Sequence, residues 1–291
     1  MSSSDRDDSP GSTDPELSPS GPAQAPSGTE QALAAVGRFL VGAGRFVGRQ
    51  TAAAYRAIDP DVRRHVAQLP LLTYSLIGSR RTPVEPLPPD GHPPLVFVHG
   101  LGGSRGDFLL LSKYLWLHGR RRSYRVQLEA GLPLPRLGEG LAELVREICA
   151  VTGAPQVELI AHSLGGLVVR LALADHDLAG LVKTVITLGS PHAGTYSARY
   201  ADTAITRELR PDSPIIQRLA QSPWPAEVHG VSFWSQSDVF VLPPESAALE
   251  GTDQIEVTPF THYSYLIDPR SWTLVRRELE LHTPTAPPAR S

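Results

Sequence analysis

Two short stretches carry serines in settings suited to acyl-transfer chemistry. LGGSRGD, Leu101–Asp107, contains Gly102-Gly103-Ser104-Arg105-Gly106, a literal Gly-x-Ser-x-Gly. LIAHSLGGLVV contains the looser match Ala161-His162-Ser163-Leu164-Gly165. A serine hydroxyl is a weak nucleophile. It needs an adjacent base, and the base needs a group to orient it. It also needs a mount. The nucleophile elbow brings the serine directly off a buried strand into a strained turn that runs straight into a helix. The residues two before and two after must be small, because the turn presses them on neighbouring backbone.

Ser163 meets each requirement. VELI is an apolar strand, Ala161 and Gly165 are the small flanks, and GGLVVRLALA reads as a buried helix. Ser104 meets only the string. Its strand, LVFVHG, ends at His99, and four residues intervene before Ser104. Ser104 opens an apolar helix with Asp107 three residues on, close to a capping box, so it reads as a helix N-cap. The nucleophile assigned from sequence is Ser163.

FVHGLGG, AHSLGG, TLGSPHAGT and SDVFVLPPESAAL occur in that order. Together they resemble the α/β-hydrolase superfamily, and within it bacterial triacylglycerol lipases and esterases with an Ala-His-Ser-x-Gly elbow. The resemblance spans about residues 93–281. It implies an α/β-hydrolase fold: a mostly parallel central sheet, helices on both faces and a small lid insertion. It also implies the chain order serine, acid, histidine.

His176, His192, His229, His262 and His282 follow Ser163. His176 follows the elbow helix, His229 lies inside a strand, and His282 ends the last helix. His192 sits in GSPHAG, a structural loop in lipases. His262 follows the strand QIEV and opens a segment similar to the lipase histidine loop, so it is the expected base. Asp238 ends the strand GVSFWSQS and begins a segment resembling the family's acid loop. It is the expected acid, with Asp253 as runner-up because that residue precedes a strand.

The oxyanion of acyl transfer needs backbone N–H donors already aimed at it. Leu164 follows the nucleophile at the amino end of a helix, where the dipole favours an anion. The resemblance assigns the second donor to Leu101. A phosphate loop is the rival reading of HGLGG, but no Gly-Lys-Ser/Thr follows. His99 is read as structural support for that turn. Arg170 is read as facing outward, as an ion-pair partner. Residues 196–226 occupy the lid position, and Tyr196, Ile205, Leu209, Ile215 and Ile216 are candidate acyl contacts. No metal-ligand spacing appears, and no cofactor is expected.

These residues need a scaffold, and the pattern supplies one. Helices are expected near 104–118, 138–153, 164–175 and 271–281. Strands are expected at 95–99, 124–130, 156–163, from 181, at 228–238 and at 253–260. Strands alternating with helices imply a parallel sheet covered on both faces, with chemistry beyond the strands' carboxyl ends. The chain has 291 residues, 41% hydrophobic and 20% charged, enough for one substantial domain. The net charge is −3, which offers no case for nucleic acid. Residues 1–30 hold a net −5, which leaves the rest near +2. The one cysteine, Cys149, is read as core packing; it excludes an intrachain disulfide.

Residues 1–29 and 284–291 read as disordered tails, and 82–94 as a proline-rich connector to a catalytic domain over 95–283. Residues 30–81 read as a helical segment. Within it, 30–57 has the pattern of a basic amphipathic helix, with Arg38, Arg45, Arg49 and Arg56 opposite its apolar side. It suits either peripheral membrane contact or packing on the catalytic domain. No secretion signal or spanning run is seen, so a cytoplasmic protein, peripheral on the membrane if that helix binds lipid, is expected. The functional expectation is a serine carboxylic-ester hydrolase acting on acyl esters or lipids. A phospholipase, thioesterase or acyltransferase would use the same triad. A non-catalytic membrane-associated scaffold of this fold is the reading from another class.

Overall fold

The structure, a computed structural model, describes residues 60–68 and 84–281. The expected tails and the basic helix over 30–57 lie outside the described residues. Within them, the sheet has six strands: β1 Leu95–Val98, β2 Ser123–Arg125, β3 Val157–His162, β4 Val182–Leu188, β5 His229–Trp234 and β6 Asp253–Glu256. The spatial order is β2-β1-β3-β4-β5-β6. Every neighbouring pair is parallel.

β1 and β3 are buried at every position. That is why they read as unbroken apolar runs and not as alternating ones. Their side chains divide between two cores. Val96, Val98, Leu159, Ala161 and Val185 point to one face. Leu95, Phe97, Ile160, Ile186 and Phe233 point to the other. The first face is covered by α3 (Leu134–Thr152) and α4 (Leu164–Asp175), the second by α2 (Leu109–Leu117) and α8 (Pro269–Leu281). In α3 the buried residues Leu134, Leu137, Leu141, Val145 and Ile148 recur at helical spacing, and Gly153 closes the helix with φ 65°. The shorter helices are α1 Pro60–Gln68, α5 Ala204–Glu208, α6 Pro214–Ala220 and α7 Ser264–Ile267. Among the described residues, no helix is long and apolar enough to cross a membrane.

The strand order turns round between β1 and β3. The chain leaves β1 one way to reach β2, then returns past β1 to build β3 to β6 the other way. Loops at such a switch point diverge and open a crevice beyond the carboxyl ends of the strands. The loops concerned are those that begin at His99 and Ser163.

Several expected boundaries move. The strand expected over 124–130 ends at Arg125, and the backbone N–H of Leu128 donates to His99 Nε2 at 3.0 Å instead of joining a ladder. The strand expected over 253–260 ends at Glu256, before Pro259, which has no N–H to offer. The helix expected over 104–118 is a 3₁₀ turn, Arg105–Phe108, followed by α2. The helix expected from 138 begins at Leu134, with Pro133 as its N-cap.

One charged pair lies inside this frame. Glu158, on β3, has no exposed surface, and the Arg120 guanidinium pairs with its carboxylate. Arg120 also donates to Pro93 O at 3.3 Å. Removing one partner of a buried pair strands the other charge. Arg120→Met is expected to destabilise the fold by about 3–5 kcal/mol in urea denaturation. A change below about 1 kcal/mol would show that Glu158 does not need its partner.

Candidate active site

Ser163 sits between the end of β3 and the start of α4 with φ 54° and ψ −127°. Asp177 is the only other described non-glycine residue with positive φ. Such a backbone costs about 1–3 kcal/mol and persists only where its surroundings over-determine it. The Ser163 N–H donates to Leu188 O at 3.0 Å, and Ser163 O accepts from the Gly166 N–H at 3.0 Å. Gly165 lets α4 reach the end of β1: a Cβ there would overlap Val98 O and lie 2.8 Å from His99 O. The Ser163 hydroxyl caps nothing.

Ser104 behaves differently. Its Oγ accepts from the Gly106 N–H at 3.0 Å and caps the 3₁₀ turn. The cap expected from sequence is in place.

The turn before Ser104 is closed by Gly103 N–H donating to Gly100 O at 3.2 Å, with Gly102 at φ 69°. Leu101 is at its apex, 46% exposed, while Leu164 is buried. Neither the Leu101 nor the Leu164 N–H donates to another described group. His99 braces the turn from beneath. Its Nδ1–H donates to Gly100 O at 2.9 Å while its Nε2 accepts from Leu128, which defines the neutral tautomer. The structural role expected of His99 therefore has a geometric basis.

His262 and Asp238 meet. His262 Nδ1–H donates to Asp238 Oδ2 at 2.8 Å, and both residues are buried. The other carboxylate oxygen accepts from the N–H groups of Phe240, at 2.9 Å, and Val241, at 3.2 Å. With Nδ1 committed to the carboxylate, Nε2 is left as the basic nitrogen. Asp253, the runner-up acid, opens β6 at the opposite end of the sheet and lies 3.8 Å from His229 Nε2. His176 caps the end of α4, and His192 Nε2 is 3.0 Å from Thr187 Oγ1. His282 lies outside the described residues.

Two supports of His262 were not singled out from sequence. His162 Nε2–H donates to His262 O at 2.9 Å, and the two rings are 4.6 Å apart. The signal was inside the elbow string, where His162 stands directly before Ser163 as the last residue of β3. Gln68, on α1, donates through Nε2 to Ser264 Oγ at 3.0 Å and accepts from Thr261 Oγ1. It brackets His262 from a segment far away in the chain, and no local pattern foretells that.

Arg170 corrects the sequence reading. It is buried, not outward-facing, and among the described residues no carboxylate pairs with it. It donates to His192 O at 2.9 Å and Leu219 O at 2.6 Å, and burial brings its pKa down to about 10. The insertion explains this, because α6 lies over that side of α4. The same packing separates the five acyl-contact candidates. Leu209 and Ile216 are buried in the core, and Ile205 and Ile215 are half-buried against it. Tyr196 is 52% exposed.

A cleft of about 440 Å³ lined by Lys183, Thr184, His229 and Asp253 opens at the amino ends of the strands, away from Ser163. Among the described residues, no three His, Cys, Asp or Glu side chains group to hold a metal ion.

Burial lowers the pKa of His99, and lowers those of His162 and His192 well below their ordinary value of 6.5. The neighbouring His262 depresses His162 further, and Arg170 depresses His192. Tyr263 is pushed up to about 12, by burial first and then by the carboxylates of Asp107 and Asp238.

A family model described as a PGAP1-like alpha/beta domain matches residues 138–207, from α3 through the elbow into α5. A triacylglycerol lipase of Vibrio cholerae is 32% identical over 135 residues, which is 44% of this chain and 40% of the relative. Ethanol acetyltransferase 1 of Cyberlindnera jadinii is 29% identical over 122 residues, 38% of this chain and 35% of the relative. The crystal structure of Bacillus licheniformis lipase BlEst2 in its mature form aligns with a TM-score of 0.57 at 20% identity, covering 68% of this chain and 96% of that one. The fold is that of the α/β hydrolases, and the resemblance is to lipases and esterases. The chain spans about 40% of the length of the lipase relative.

Two outcomes follow. Ser104→Ala should cost about 1 kcal/mol as a lost cap, read by thermal or urea denaturation. The depressed histidines give stability a pH dependence. The unfolded chain takes up protons near 6.5, where the folded chain resists them. Stability is therefore full above that value and is lost as pH falls below it. Urea midpoints should be level above about pH 7.5 and fall steadily toward pH 5. Midpoints that rise over that interval would contradict the buried neutral imidazoles.

Proposed function

We propose that this chain is a serine carboxylic-ester hydrolase working through an acyl-enzyme. The observation that carries the proposal is Ser163 at φ 54° on a strand-to-helix junction, together with a buried His262–Asp238 pair in which the imidazole Nδ1–H donates to the carboxylate. Ser163 Oγ attacks the ester carbonyl carbon while its proton passes to His262 Nε2. The carbonyl oxygen becomes an oxyanion and accepts from the N–H groups of Leu101 and Leu164. As the tetrahedral intermediate collapses, the leaving alkoxide takes the proton from His262, and the acyl group stays on Ser163. Water, deprotonated by His262, then releases the acid. Asp238 keeps its charge throughout and stabilises the imidazolium.

The substrates proposed are acyl esters, including lipids. The resemblance to lipases supports this, as does exposed Tyr196 at the start of the insertion. A second reading has one specific support, the similarity to an ethanol acetyltransferase. In that reading an alcohol replaces water in the deacylation step.

The test is hydrolysis of p-nitrophenyl esters from acetate to palmitate. Ser163→Ala should lower kcat by about 10⁶-fold, as loss of a triad nucleophile does elsewhere. Ser104→Ala should retain nearly all activity. A fluorophosphonate probe should label Ser163 by mass spectrometry. Activity that survives Ser163→Ala but not Ser104→Ala would reverse the assignment. Ethyl ester formed in the presence of ethanol would favour acyl transfer, and free acid alone would favour hydrolysis.

A further inference from the structure

α2 is apolar on both sides. Leu111 and Leu115 are buried in the core, as expected of a helix on a sheet. The opposite side carries Leu109, Leu110, Trp116 and Leu117, which are exposed, with Leu117 at 65%. On a 3.6-residue wheel these four and Lys113 share one continuous arc. A globular surface helix normally turns charged residues to that side, and a cluster of large apolar groups there marks a contact surface.

The charge around the cluster has one sign. Between Asp107 and Glu129 the chain has no acidic residue and five cations: Lys113, Arg120, Arg121, Arg122 and Arg125. Arg120 and Arg122 are buried, while Lys113, Arg121 and Arg125 are exposed. Lys113 Nζ lies 4.1 Å from the Trp116 ring centroid, and the Arg121 guanidinium lies 5.6 Å from it. The nearby acids are already engaged. Asp90 accepts from the Arg121 and Arg122 N–H groups, and Glu280 on α8 pairs with Arg276.

We infer that the outer side of α2, with Trp116 between Lys113 and Arg121, docks on an anionic lipid surface. Leucines and an indole flanked by cations fit the boundary between acyl chains and acidic headgroups. The other occupants suit the charge less well. A second copy related by a two-fold axis would bring Lys113 and Arg121 against their own images. The chain's own amphipathic pattern over 30–57 is basic as well. The inference does not depend on ester hydrolysis.

The test uses the full chain and vesicles of phosphatidylcholine, alone or with about one third phosphatidylserine, read by co-sedimentation. The wild type should partition onto the phosphatidylserine vesicles in preference. Trp116→Glu with Leu117→Glu should reduce that partitioning about tenfold or more. Lys113→Glu with Arg121→Glu should remove the preference for phosphatidylserine, at about fivefold for each cation lost. These side chains are exposed, so near-ultraviolet circular dichroism and p-nitrophenyl acetate turnover should match the wild type. No vesicle binding by the wild type, or equal binding by the variants, would overturn the inference. So would a dimer, seen by light scattering without lipid, that the same substitutions dissociate. A chain that binds vesicles but cleaves no ester would leave this inference standing and remove the proposed function.

Discussion

The strained backbone at Ser163 is the constraint on which the rest of the site depends. A positive φ on a serine is unfavourable alone, so something must hold it. The hold comes from three places at once: the ladder bond to Leu188 on β4, the first turn of α4, and the contact of Gly165 with the end of β1. Each belongs to a different element. The elbow therefore exists only when β1, β3, β4 and α4 are assembled, and the same assembly brings the Leu101 turn beside it. The Ser163 turn and the Leu101 turn are two consequences of one close approach at the switch point of the sheet.

The histidine and its carboxylate depend on a second constraint: buried polar groups must all find partners. Asp238 meets it through His262 on one oxygen and two backbone N–H groups on the other. That arrangement pins the carboxylate and fixes which imidazole nitrogen faces it. His162 then fixes the carbonyl of His262, so the residue next to Ser163 positions the loop that carries His262. Gln68 secures the same loop from α1. Arg170 applies the rule on the other side of α4, where two carbonyls take the place of a carboxylate and tie the insertion to the elbow helix.

Sequence and structure agree best where chemistry and local geometry coincide. Strand, small residue, serine, small residue and helix are adjacent in the chain, so the elbow could be read directly, and the literal Gly-x-Ser-x-Gly could be set aside as a cap. β1 and β3 were legible for the same reason, as apolar runs with clear ends. The short edge strand β2 was not. Its apparent pattern over 124–130 runs on to Leu128, which is buried in the core while its N–H goes to His99 Nε2 and not to a neighbouring strand. Periodicity records which side chains are buried and not how the backbone bonds.

By itself the sequence determined the parallel α/β frame, the strand-to-helix setting of Ser163 and the capping position of Ser104. Tertiary structure decided the partners. It placed Asp238 on His262 and sent Asp253 to the far end of the sheet. It turned Arg170 inward and gave Leu209 and Ile216 to the core. It also set His162 and Gln68 against the loop that carries His262. The physical reason is separation along the chain. An elbow is made by neighbouring residues whose types announce their backbone. A hydrogen bond between Gln68 and Ser264, or between Arg170 and Leu219, depends on where packing brings distant segments, and composition and spacing carry no record of that.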